Sequence, residues 1–357
     1  MKYFVLAFSF VVGLLSSCSS KNEMLLSSFP KTFKGHFEIL SSELIGYNYI
    51  NDMFVSRDYV IVTCYDMESR TFVHLFDKKD FRSRDFIREG RGEGEMVYGS
   101  QSYTLVDNQI IIVDPKQNRQ ILFNIDSLLL KGIDSWEIDY VDVPKWNYAI
   151  HYLGDCSYFC LNERPPLSKD TSSVHRLGIY RDGVCVSYDD WAPIEDMFMR
   201  FRSSVITKID VNHARQRVVL ASPYGSEMEI LSVKNGVLDR LGFCSYEKTD
   251  FKGEKGIEYN ENTISGYGDI HSTDDFVIGV FDGHKSLDIK TKVPVVDMFK
   301  EICIFTWNAE PVARVSADVR VETICYDDTE KNFYAVITDV EGREFLARLS
   351  FDLDTLK

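Results

Sequence analysis

The chain has 357 residues, 45% of them hydrophobic and 27% charged, with a formal net charge of −15. That balance suits a large folded domain and excludes a disordered polyelectrolyte. So acidic a protein is repelled by phosphate backbones, which argues against nucleic acid as a partner.

Met1 and Lys2 precede an apolar run, Tyr3 to Leu15, YFVLAFSFVVGLL. A spanning helix needs about 20 residues, so this run has the length of a signal h-region instead. It leads into Leu15-Ser16-Ser17-Cys18, which resembles a bacterial lipobox. The resemblance implies cleavage before Cys18 and acylation of its thiol and new amine. Several acyl chains on one residue hold a soluble domain on a membrane durably. The expected organisation is a signal peptide over 1–17, a lipidated tether over 18–28 and a folded domain over 29–357. Ser19, not Asp, follows Cys18, which by analogy with lipoprotein sorting implies an outer-membrane lipoprotein, facing either the periplasm or the surface.

From Phe29 onward the chain reads as β-structure. Short alternating or β-branched runs, such as YVIVTCYD, QIIIVD and RVVLASPY, are bounded by Asp, Asn or Gly. Asp126 to Asp134 and Asp189 to Phe201 read as short inserted helices. The segment from Asp58 aligns with the segment from Asp107, 49 residues further on. Further copies begin at Asp155, near Asn212, at Asp275 and at Asp328. Six units of about 50 to 60 residues with four strands each predict a six-bladed β-propeller. The last unit ends one strand short, and an orphan strand, His36 to Ser41, precedes the first. That N-terminal strand is expected to complete the final blade and remove an open sheet edge.

Three segments carry a family resemblance: the lipobox LSSC, Gly90 to Glu95 (GRGEGE), and Gly266 to Gly283 (GYGDIHSTDDFVIGVFDG). Together they resemble the TolB-like six-bladed propeller lipoproteins of Bacteroidetes. In the second segment Glu93 stands where that family has Pro. The resemblance implies a fold and a location, and it carries no catalytic residues over.

The glycine-rich stretch Arg88 to Met96, REGRGEGEM, raises the question of a phosphate loop. Its spacing is G-x-G-x-G, not the G-x-G-x-x-G of a dinucleotide site, and no Gly-Lys-Ser/Thr follows. Glu89, Glu93 and Glu95 would repel a phosphate. It reads as the crossover between blades one and two, with Arg91 and Glu95 as possible rim contacts. His151 and His271 fall in expected inner strands, which line a propeller's central channel. In an extended strand Asp269 shares a face with His271 and would be placed to orient the imidazole or act as a base. The eight cysteines mostly sit in apolar runs and read as free, buried residues. No CxxC or HxxxH pair occurs, so no metal or other cofactor is expected. The reading that follows is a non-catalytic envelope protein, held by its lipid anchor, that binds a protein, peptide or glycan. The alternative is a hydrolase or lyase acting on glycans from the channel mouth.

Overall fold

The computed structural model describes residues 24–357 apart from 45–46, 93, 98–101, 132–136, 142–146, 156, 163–174, 193–206, 247–250, 253–257, 260–262 and 286–292. Six antiparallel sheets form the blades. Blade 1 comprises β3 (Tyr47–Val55), β4 (Tyr59–Asp66), β5 (Thr71–Asp77) and β6 (Ser83–Arg88). Blade 2 comprises β7 (Ser102–Val106), β8 (Gln109–Asp114), β9 (Arg119–Asn124) and β10 (Glu137–Tyr140). Blade 3 comprises β11 (Asn147–Gly154), β12 (Ser157–Asn162), β13 (Leu177–Arg181) and β14 (Val184–Asp189). Blade 4 comprises β15 (Lys208–Asn212), β16 (Arg217–Ala221), β17 (Met228–Ser232) and β18 (Asp239–Cys244). A two-stranded hairpin, β19 (Phe251–Lys252) and β20 (Glu258–Tyr259), follows it. Blade 5 comprises β21 (Tyr267–Ser272), β22 (Phe276–Phe281), β23 (Glu301–Thr306) and β24 (Pro311–Ala317). Blade 6 has β25 (Arg320–Asp327), β26 (Asn332–Thr338) and β27 (Glu344–Ser350) from the C-terminus.

The first strands of successive blades meet around an axis. Contacts run from β3 to β7, β7 to β11, β15 to β21, β21 to β25, and β25 back to β3. Each expected repeat start lies just before the second strand of a blade, so the sequence unit is offset from the blade by one strand. That offset is why the chain must close on itself. β2 (Glu38–Ile39) pairs antiparallel with β27, and the Leu40 and Leu44 N–H groups extend the pairing to Leu346 and Glu344. This is the closure expected from the orphan strand. Unforeseen was β1 (Lys31–Gly35), which runs parallel to β24 and adds a fifth strand to blade 5. The N-terminal segment therefore ties two blades together. Before it, helix α1 (Met24–Ser27) buries Leu25 between blades 4 and 5, so the end of the expected tether is docked on the domain.

Apolar side chains of the alternating strands meet in six clusters, one per blade interface. Ile278, Ile304 and Phe333 lie between blades 5 and 6, and Val113, Ile150 and Tyr180 between blades 2 and 3. Each fully buried Ile, Val or Phe contributes about 1.5–3 kcal/mol, so the interfaces supply most of the cohesion. Polar ties cross them too. The Arg176 guanidinium reaches Glu229 at 2.6 Å between blades 3 and 4, with both side chains buried. The described cysteines are unpaired, and Cys64, Cys160, Cys303 and Cys325 are buried. Asp and Asn bound the strands because they accept turn conformations. Asp107, Asp155 and Asp182 have positive φ, and Asp66 caps its turn through the Glu68 N–H at 2.8 Å. Helix α2 (Ile125–Lys131) fulfils the first helix expectation. Most of the second lies outside the described residues, and Asp189 itself ends β14.

Candidate functional site

The first strand of every blade has one edge, and alternate side chains, turned to the central channel. A cavity of about 740 Å³ opens at the end where first strands turn into second strands. A second part, of about 280 Å³, lies toward the opposite ends of the same strands and shares Asp52, His151 and Ile209 with it. His151 lines both parts, Asp269 the second and His271 the outer, first one. Three of the residues singled out from sequence therefore do converge on one channel.

β21 runs unbroken from Tyr267 to Ser272, with a bulge at Gly268. Asp269 and His271 thus share a face, and Ile270 points into the core between blades 4 and 5. They do not pair. The Asp269 carboxylate instead accepts from the Thr323 hydroxyl at 2.8 Å and the Ile324 N–H at 2.9 Å, and so ties blade 5 to blade 6. Burial raises its pKa, opposed by Lys208 and those hydrogen bonds. Burial takes the His271 imidazole down to about 4, against the pull of Asp269 and Asp328. His151 falls to about 4 as well, through burial and then repulsion by His213. Both rings are uncharged at neutral pH, and each offers one donor and one acceptor.

Sequence reading missed the groups that these imidazoles face. Asp52 on β3 is half-buried, and its carboxyl is pushed up to about 8, by burial first and then by Asp269 and Asp210, with Lys208 pulling the other way. Asp210 on β15 is raised to about 6 by burial, although the Ser272 hydroxyl donates to it. Tyr103 on β7 is 2% exposed, and its hydroxyl has no hydrogen-bond partner. The Nε2 of His213 is also buried and unpartnered. A buried polar atom without a partner costs about 1–3 kcal/mol, so two of them along one cavity make it the candidate site. The available signal was the polar residue inside each inner strand, as in YNYINDMFV and KIDVN.

Arg91 and Glu95 line neither part of the cavity. Glu95 closes its own loop by accepting from the Gly92 N–H at 2.9 Å, and the Arg119 guanidinium grips the Glu95 carbonyl from β9. Gly94 has φ +76°, the left-handed region where a side chain is strained. The stretch is the crossover from β6 to the next blade, as its spacing suggested. Among the described residues, three metal-ligating types converge at Asp66, His74 and Asp85 in blade 1, away from the channel. Asp66 is already engaged as a turn cap, and the Asp85 carboxylate, 2.9 Å from the His74 Nδ1, accepts from it.

A family model described as TolB-like 6-blade propeller-like matches residues 28–329. Among solved structures, a Bacteroides fragilis protein described as exported superimposes with a TM-score of 0.55 at 13% identity, covering 90% of this chain and 99% of its own. A DUF4221 family member from Bacteroides vulgatus gives 0.50 at 10% identity, covering 89% of this chain and 96% of its own. At such identities the likeness speaks to the fold. No curated protein matches the chain.

Proposed function

Because the chain belongs to the TolB-like family of six-bladed propellers, we propose that it is an exported, lipid-anchored envelope protein whose channel mouth binds a peptide, protein or glycan without transforming it. The carrying observation is that two buried, unpartnered polar atoms, the Tyr103 hydroxyl and the Nε2 of His213, lie around one cavity beside Asp52 and His151. The lipobox at Cys18 supports the anchor, and the described likeness to an exported Bacteroides protein supports export. The sorting analogy at Ser19 favours the outer membrane. Among the described residues no helix is long and apolar enough to cross a membrane. The test is capture from detergent-solubilised envelopes with the full chain and with a His151→Ala/His271→Ala variant. A partner retained by the first and lost from the second is the expected result. Equal capture by both would remove the channel as the binding site.

A second reading, an envelope hydrolase or lyase acting on glycans, draws on the different proton affinities of Asp52 and Asp210, which suit an acid and a base. It requires turnover on a glycan panel that Asp52→Asn abolishes.

A further inference from the structure

We propose that the channel takes a ligand carrying a primary ammonium group, seated against the carboxyl groups of Asp52 and Asp210. This rests on the reading of the channel as a binding site and names its ligand chemistry. Three observations carry it. The first is charge. Seven aspartates line the two parts of the cavity, against Arg57 and Lys208 as the lining cations. Asp327 has its own partner in Lys78, and Asp269 is tied to blade 6, but among the described residues no side chain donates to the Asp52 carboxyl. Like charges enclosed together repel strongly in a poorly solvated site, and an entering cation relieves that repulsion.

The second observation is the set of unused acceptors. His151 is 9% exposed and lines both parts of the cavity, and among the described residues its ring has no hydrogen-bond partner. The Tyr103 hydroxyl and the His213 Nε2 are buried and unpartnered in the same lining. An ammonium group has three donors and no acceptor. Neutral imidazoles and carboxylates supply what it needs. The third is the wall. Phe54, Tyr103 and Tyr326 line the outer part, and aromatic faces attract cations. Exposed Asp107, Asp274 and Asp328 around the mouth favour entry of a cation and repel acidic sugars or phosphates.

Proton linkage follows. The groups facing Asp52 are Asp210 and Lys208 from β15, Asp269 and His271 from β21, Tyr103 from β7 and His151 from β11. Near neutral pH Asp52 holds a proton that an ammonium ligand would displace. For a lysine-type ammonium, which stays charged across this range, affinity should therefore rise about tenfold or more between pH 6 and pH 8.

An ammonium group reaches the envelope as an amino sugar or as a peptide amine, and one experiment separates the two. Isothermal titration of the purified full chain would use a glucosamine tetramer, a tetralysine peptide and the N-acetylated form of each. The expected result is binding of at least one amine probe at least tenfold tighter than its acetylated twin. Proton release should be visible as heat that depends on the buffer's ionisation enthalpy. Asp52→Asn and Asp210→Asn, each checked for folding by thermal melting, should each weaken that binding about tenfold. Equal binding of amine and acetylated probes would overturn the ammonium inference while leaving the channel as a binding site. Failure of both amine probes to bind would also overturn it, and the capture experiment then judges the channel separately.

Discussion

Replacing Asp52 by Asn should stabilise the protein, and increasingly so as pH rises. The carboxyl moves from an ordinary 3.8 to about 8 in the fold. The folded state therefore holds more protons than the unfolded chain between about pH 4 and pH 8, and stability falls as pH rises through that window. At 1.36 kcal/mol per unit, the wild-type penalty at pH 8 exceeds that at pH 5 by about 4 kcal/mol. Water in the channel screens the charge, which lowers the figure to about 2 kcal/mol. The unfolding entropy is about 2.1 cal/mol/K per residue over roughly 330 residues, so the variant's gain in Tm should grow by about 3–6 °C from pH 5 to pH 8. Differential scanning fluorimetry of both proteins at four pH values measures this. A Tm difference that stays flat across the window would show that Asp52 does not titrate there and would refute the reasoning. The same substitution weakens ligand binding in the scheme above, so stability and function should move in opposite directions.

Other outcomes are expected. Cys18→Ala should release the protein from the membrane fraction, and continued retention on fractionation would count against the anchor. Phe37→Ala removes a buried ring between β1 and β2 that packs in the cluster of blades 5 and 6, and should cost about 3–5 kcal/mol by denaturant melting. Gly266→Ala would put a Cβ 2.3 Å from the Gly225 carbonyl oxygen. Because that oxygen is backbone, a loss of about 3 kcal/mol is expected. Gly90→Ala meets only the movable carboxylate of Glu95, and should cost about 1 kcal/mol as the Gly92 hydrogen bond loosens.

Much of the fold is legible before any coordinates. The runs at Tyr59–Asp66 and Gln109–Asp114 are short, continuous and β-branched, as strands buried on both faces are, and Asp closes each one. Four-strand units then recur, and a missing last strand matches the spare strand at Glu38–Ile39. These are local properties, so composition and spacing carry them. The added strand Lys31–Gly35 is not legible in the same way. Its pairing with β24 joins residues nearly 300 positions apart, and the exposed side chains of KTFKG give no apolar alternation to announce it. The site divides along the same line. His151 and His271 stand out as rare residue types within inner strands, whereas an aspartate in a chain with 55 acidic residues does not.

The sequence by itself determined the repeat, the strand order and the role of REGRGEGEM as a crossover, because each depends on neighbours along the chain, and the closure, because the repeats leave one strand missing at one end and one spare at the other. Only the tertiary structure decided what the inner strands do together. Asp52, Tyr103, His151, Asp210 and His271 come from the inner strands of five blades, about one repeat apart, and spacing alone does not show that they meet. Ring closure brings them around one channel, where loss of water raises the carboxyl pKa values and lowers those of the imidazoles, with repulsion adding to the shift at Asp52 and His151. It also separates Asp269 from His271, since blade 6 offers Asp269 a hydroxyl and an N–H that the imidazole does not match.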